Sequence, residues 1–407
     1  MPTTNASNID FPIPGLSRRS FVTKSSLGLL GLMASRGLAA NPAAQEIVYR
    51  DFPKHLKLAP TLAGPGRIIK ETVGLRPFRT EGPNMSVEAL GNKRLVHHYG
   101  HGGSGWSLSW GTADEAVTKA TETGAQSYAV IGCGVIGMTT ATVLQRAGKQ
   151  VTIYTKDRQP NVTSSMATGV WSPDSRICLE SSGTPKFEKW WTDSATKSFR
   201  SFQDCIGLPN KPVEWVHSFS LSDIPWEERK AKREAEAAKE GPRFAHFDRL
   251  PTVPGTWNVT EGTSPFAEKF VKQGTRMIYN IPIYTAMLME EFYRAGGKLK
   301  IQSFDSPDEF KALPERVIVN CTGLGSQQLF GDDKLVPVRG QLTFLVPQSE
   351  VRYNVNVDGG YTICRQDGIV IGSSNNGRYG STDLTPDRQQ SLDAIAAIAR
   401  TMSRMKV

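Results

Sequence analysis

The sequence predicts an α/β protein in which a parallel sheet domain joins a mixed, largely antiparallel second domain. Three observations predict it. Apolar strand and helix patterns alternate between residues 94 and 155, the spacing that builds parallel sheets through crossover helices. The run ERVIVNCTG (315–323) returns to a buried-type strand closed by a tight turn. From 336 to 374, in VPVRGQLTFLVP and GGYTICRQDGIVIGSS, short β-prone runs alternate with turn residues, which reads as antiparallel strands. A chain of 407 residues is long enough for two joined domains, because single cores stop growing near 250 to 300 residues.

In chain order, SRRSFVT (17–23) precedes a short apolar stretch, LGLLGLMA (27–34), and small residues up to Ala40. Paired arginines ahead of a weakly apolar core are the pattern of a twin-arginine signal, which exports folded proteins. The stretch is far shorter than the ~18 residues that span a bilayer, so no stable membrane anchor is expected. Residues 1–40 are therefore read as a signal, with the twin-arginine translocation machinery as partner and a periplasmic or secreted destination. After a polar lead-in (41–65), RIIKETVGLRPFR (67–79) is an apolar run broken by Gly74 and Pro77. A strand RLVHHY (94–99), a glycine turn and a helix over 109–122 follow. Next come a strand SYAVIG (127–132), a helix over 136–147 and a strand QVTIYT (150–155). Residues 185–299 are aromatic-rich and irregular, and EERKAKREAEAAKE (227–240) is a solvated helix of mixed charge. LTPDRQQSLDAIAAIARTMSRM (384–405) opens with a Thr-Pro helix start. The cofactor domain is assigned to 41–175 (blocks 58–121 and 127–175) and 311–335, the substrate domain to 176–310 and 336–407.

Of the net charge of +9, the first 40 residues carry +3, and the remaining +6 does not point to nucleic acid. Five cysteines (Cys133, Cys178, Cys205, Cys321, Cys364) form no C-x-x-C pair and read as buried thiols. His97, His98 and His101 lie in a glycine-rich turn without the helical register of a zinc site, so no metal is expected.

The chemistry begins at YAVIGCGVIG (128–137). Gly132, Gly134 and Gly137 form G-x-G-x-x-G between a predicted strand and helix, with Val135 and Ile136 opening the helix whose amides receive a diphosphate. Asp157, 20 residues beyond Gly137 and just past the next strand, is placed to bind ribose hydroxyls. This spacing signals a dinucleotide without separating FAD from NAD.

The accompanying blocks resemble the FAD-dependent D-amino acid oxidase family. These are VGLRP (73–77), LVHHYGHGGSGWSLSWGTA (95–113), VTSSMATGVW (162–171), NCTG (320–323), VRGQ (338–341) and GGYTIC (359–364). In that family the fingerprint comes first and the G-x-R-P and H-G-G blocks last, so this chain resembles a circularly permuted member. Joining the old ends needs only the helix after the H-G-G turn and a TGAQ connector (123–126), which make a right-handed βαβ unit with a neighbouring parallel strand. The order also leaves open a homodimer in which residues 41–115 complete the site of another subunit.

The resemblance implies an FAD-binding Rossmann-like domain in which Thr163, Ser164 and Ser165 contact the diphosphate and Gly169 and Trp171 lie by the flavin ring. Thr322 and Gly323 would approach the adenosine half, and Gly102, Gly103, Ser104 and Gly105 the flavin and substrate amine. Arg76 is implied as the carboxylate anchor, a role suited to a planar guanidinium fork, and Tyr361 as its hydroxyl partner. Gly74 and Pro77 would fix the loop presenting Arg76. A second tyrosine that some members carry four residues before Tyr361 is replaced by Val357, which marks that wall of the pocket as different. The implied reaction is hydride transfer from a D-amino acid to FAD, which needs orientation and anchoring rather than a general base. Oxygen then gives hydrogen peroxide, and hydrolysis gives a 2-oxo acid and ammonia. Alternatives are a related amine oxidase or dehydrogenase of glycine, secondary-amine or D-aspartate type, and a non-catalytic flavoprotein.

Overall fold

The computed structural model describes residues 48–238, 243–373 and 377–406; the twin-arginine segment lies outside the described residues. Strands Ser127–Ile131, Gln150–Thr155 and Val317–Asn320 are buried along nearly their whole length, as expected of apolar runs covered on both faces. They form the middle of a six-stranded sheet in the order 298–301, 150–155, 127–131, 317–320, 93–97, 87–90. All pairs are parallel except the last. Strand Val317–Asn320 lies between the H-G-G strand Lys93–His97 and the fingerprint strand, so these two are not the immediate neighbours expected. Their helical connection crosses over one intervening strand.

That connection is helix Gly105–Thr121, which starts directly at the glycine turn rather than at Ser109. Its apolar residues Trp106, Leu108, Trp110 and Val117 are buried, and it packs on helices Val135–Arg146 and Pro185–Gln203. Thr184 starts the latter by accepting the N–H of Phe187 at 3.2 Å.

The second sheet has ten strands among the described residues. Here strand Ile68–Arg79 departs from expectation. Gly74 and Pro77 do not break it, and it pairs antiparallel with Leu335–Leu345 from one end to the other. Proline is accommodated because, among the described residues, the strand meets only an isolated bridge from Phe78 to His101 on its other side, so the missing Pro77 N–H leaves no ladder bond unmade. Arg76 therefore stands on a strand of the substrate-side sheet, not on a loop of the cofactor domain. The opposite reassignment applies to residues 281–301. Helix Ile281–Arg294 packs on the fingerprint helix, with Gln145 Nε2 donating to the Phe292 carbonyl at 2.9 Å, and strand Lys298–Ile301 pairs with Gln150–Thr155. Both belong to the cofactor sheet. Helix Arg388–Ser403, capped by Asp387, covers the far face of the large sheet. All five cysteines are buried and unpaired. No helix of the described residues is long and apolar enough to cross a membrane.

Candidate functional site

In an open parallel sheet, ligands bind beyond the carboxyl ends of the two strands where the order reverses. Here those strands are Ser127–Ile131 and Val317–Asn320. Gly132, at φ +108°, ends the first, and a Cβ there would lie 2.6 Å from the Cys321 carbonyl oxygen. A Cβ at Gly137 would sit 2.0 Å from the Gly132 carbonyl oxygen, so only glycine lets the helix begin this close to the strand. Ser164 Oγ accepts the N–H of Val135 at 2.9 Å, and Trp106 Nε1 donates to the Ser164 carbonyl at 2.9 Å. These two bonds tie the 163–166 turn to both the fingerprint helix and the H-G-G helix. On the other strand, Thr322 Oγ1 donates to Asn320 Oδ1 at 2.8 Å.

One cavity of about 1070 Å³ runs from this crevice to the large sheet. It lies at the upper end of the roughly 300–1,000 Å³ range of ordinary ligand pockets. It is lined by Gly132, Gly134, Val135, Ile136, Asp157, Thr163, Ser164, Trp171, Thr322 and Gly323 on the nucleotide side. Arg76, Gly102, Gly103, Gly105 and Tyr361 line it on the other. Residues from the early block and from the fingerprint thus meet within a single chain. The H-G-G turn is held against the arginine strand by Gly102 N–H donating to the Pro77 carbonyl at 2.8 Å.

Several expected residues stand behind the wall instead. Gly137 packs helix on strand. Ser104 is fully buried and donates to the Ser175 carbonyl at 3.0 Å. Ser165 bonds to the Gln159 side chain, and Gly169, at φ +82°, serves close packing against the Tyr279 carbonyl. Val357 is a correction: it is 4% exposed and packs in the core under helix Arg388–Ser403. Strands 353–357 and 360–365 form a hairpin in which Asn356 pairs with Tyr361 and Val357 with Gly360. Because faces alternate along a strand, Asn356 shares the cavity face with Tyr361 and Val357 points away.

The substrate-side end is strongly positive. The Arg76 guanidinium lies across Gly340, where a Cβ would be 2.1 Å from Nη1. Burial first, then the neighbouring Arg176, pushes its pKa down to about 10, while Tyr361 acts in the opposite direction. Arg76 Nη1 is buried without a hydrogen-bond partner, and so is Arg176 Nε. Arg276 also lines the cavity, with Asp174 as its acidic neighbour. Asp174 accepts the Phe247 N–H at 3.1 Å, and burial raises its pKa. Arg176, Arg276, Asp174 and Asn356 were not singled out from the sequence. Arg176 carried one signal, its place directly after the SPDS turn (172–175) that follows VTSSMATGVW.

The three histidines are buried, and the rings of His98 and His101 pack edge to face at 5.1 Å. His97 bonds Glu88 at 3.2 Å, His98 bonds Thr140 at 2.9 Å and His101 bonds Thr112 at 3.2 Å. Burial pushes His101 down to about 3 and His98 well below the usual range, so both are neutral at physiological pH.

The family model described as FAD dependent oxidoreductase (DAO) matches residues 127–405. The chain is 26% identical over 285 residues to a D-amino-acid oxidase of Dictyostelium discoideum, covering 68% of this chain and 74% of that protein. It is 24% identical over 287 residues to a D-aspartate oxidase of Homo sapiens, covering 66% and 73%. A solved glycine oxidase structure from Geobacillus kaustophilus aligns with a TM-score of 0.48 at 15% identity, covering 69% of this chain and 79% of that chain.

Proposed function

The chain belongs to the FAD dependent oxidoreductase family, and from that premise we propose that it oxidises D-amino acids to 2-oxo acids, with ammonia and hydrogen peroxide as the other products. The observation that carries this reading is Arg76. A buried guanidinium with an unpartnered Nη1, lining the cavity that the dinucleotide cradle opens into, calls for an anionic substrate group.

The cofactor is FAD, and the residues present fit it: glycines 132 and 137 clear space that any Cβ would fill, and Gly134 and Ser164 line the helix N-terminus. Bound FAD supplies the acceptor for the substrate's α-hydrogen as hydride. In this reading Gly132, Gly134, Val135, Thr163 and Ser164 hold its diphosphate, and Asp157 its ribose hydroxyls. Arg76 anchors the substrate carboxylate by a bidentate pair, and the Tyr361 hydroxyl bonds the same group. Gly102 and Gly103 leave room for the reacting centre beside the ring. The neutral His98 and His101 add no charge behind the H-G-G turn. Catalysis then rests on orientation and anchoring, with no general base assigned.

Circular permutation belongs to the same proposal. It is supported by the H-G-G strand and helix preceding the fingerprint in one sheet, and by a family match that starts at residue 127. Export in folded form is proposed from SRRSFVT alone. An oxygen electrode with paired D- and L-amino acids tests the activity: D-specific oxygen consumption with peroxide is expected. A yellow protein that no D-amino acid bleaches anaerobically would remove the oxidase reading.

A further inference from the structure

The substrate end holds more positive charge than one carboxylate can answer. Arg76 and Arg176 both line the cavity, and each has a buried guanidinium nitrogen without a partner. Among the described residues, neither is engaged by a carboxylate. Asp174, the acidic group at this end, faces Arg276 and is already held by the Phe247 N–H. Arg243, bonded to the Tyr379 hydroxyl at 3.4 Å, adds to the positive field at Arg76. A guanidinium nitrogen shut off from water without a partner is costly until an anion completes it, so Arg76 and the half-buried Arg176, close enough to repel each other, point to two anionic groups on one ligand.

The backbone at Arg176 supports a functional placement. Its φ is +52°, a left-handed conformation that a long side chain rarely adopts. The turn is locked there by the H-G-G segment: Gly103 N–H donates to the Ser175 carbonyl at 2.8 Å, and a Cβ at Gly102 would lie 1.7 Å from the Arg176 carbonyl oxygen. At its far end the Arg176 guanidinium lies over Gly377, where a Cβ would sit 2.6 Å from Nη2. Strain held this firmly at a cavity wall is the kind that accompanies ligand contacts. Ser218, Ser220 and Asn356 supply uncharged polar lining nearby.

Resting on the D-amino acid reading, we propose that the site selects acidic D-amino acids of the aspartate and glutamate class, with the α-carboxylate on Arg76 and the side-chain carboxylate on Arg176. The discriminating comparison is acid against isosteric amide. In the FAD-loaded protein, kcat/KM for D-glutamate and D-aspartate is expected to exceed that for D-glutamine and D-asparagine by about 10²-fold or more, as loss of one partner of a buried charge pair implies. Arg176→Asn suits the left-handed backbone while removing the charge, and is expected to collapse that ratio toward unity; Arg176→Lys should restore part of it. If Arg176→Asn lowers acids and amides by the same factor, both arginines serve one carboxylate and the inference is overturned. A wild-type preference for neutral D-amino acids overturns it as well. A second readout is independent of turnover: succinate, but not butyrate, should raise the thermal midpoint of the wild-type holoenzyme and lose that effect in Arg176→Asn. That pattern without turnover of any D-amino acid would support the two-anion site while overturning the oxidase reading.

Discussion

At the nucleotide end of the cavity the polar groups already answer one another, with Ser164 Oγ on Val135 N–H and Thr322 on Asn320, which in turn donates to Ser326 at 3.0 Å. At the substrate end Arg76 Nη1 and Arg176 Nε answer to nothing. The first end is a shape made by glycines and backbone, complete before any ligand arrives. The second is charge held in reserve, whose cost is recovered only when an anion enters. Damage to the first end should therefore abolish cofactor binding, and damage to the second should leave the cofactor in place and alter substrate affinity.

The largest effect tests the shape. Gly137→Val puts a branched side chain where even a Cβ would lie 2.0 Å from the Gly132 carbonyl oxygen, so the purified protein is expected to lack flavin absorbance entirely. A yellow Gly137→Val protein would show that the helix start is not the rigid cradle described. Next is Arg76→Ala, expected to raise KM by about 10²- to 10³-fold, the scale of breaking a buried charge pair, with FAD retained. The same variant sharpens the contrast, because removing an unanswered guanidinium should leave the thermal midpoint without substrate unchanged or higher. In the wild type, carboxylate affinity should weaken as pH climbs toward about 10, since deprotonation of Arg76 removes the charge that binds the anion. Affinity flat across that range, or equal KM in the variant, would move the anchor elsewhere. The smallest effect is Tyr361→Phe, expected to cost about tenfold in KM, one hydrogen bond to a charged group. A loss as large as that of Arg76→Ala would assign the tyrosine more than carboxylate binding.

The nucleotide end was legible in the sequence because its determinants are local: three glycines within six residues, flanked by a strand and a helix, leave few other conformations. The substrate end was legible only by resemblance, and only in part. Gly74 and Pro77 read as loop residues because their strand partner lies at 335–345, far along the chain and invisible to local pattern. Val357 was given the wrong face because the Asp358-Gly359 turn reverses the chain before Tyr361, so counting residues does not carry facing across it. Arg176 escaped notice because an isolated left-handed residue in a polar turn has no sequence period.

The pairing of Ile68–Arg79 with Leu335–Leu345 also has a consequence for biosynthesis. Arg76 leaves the ribosome 262 residues ahead of Val338, the residue that faces it, an interval of roughly 13 to 50 s at ordinary elongation rates. Throughout that interval the nascent chain has no pocket in which to bind an amino acid. Strands Tyr353–Val357, Gly360–Arg365 and Gly368–Ser373 of the same sheet emerge later still and bring Asn356 and Tyr361, so a chain truncated before residue 335 lacks both the partner of the arginine strand and that wall of the cavity.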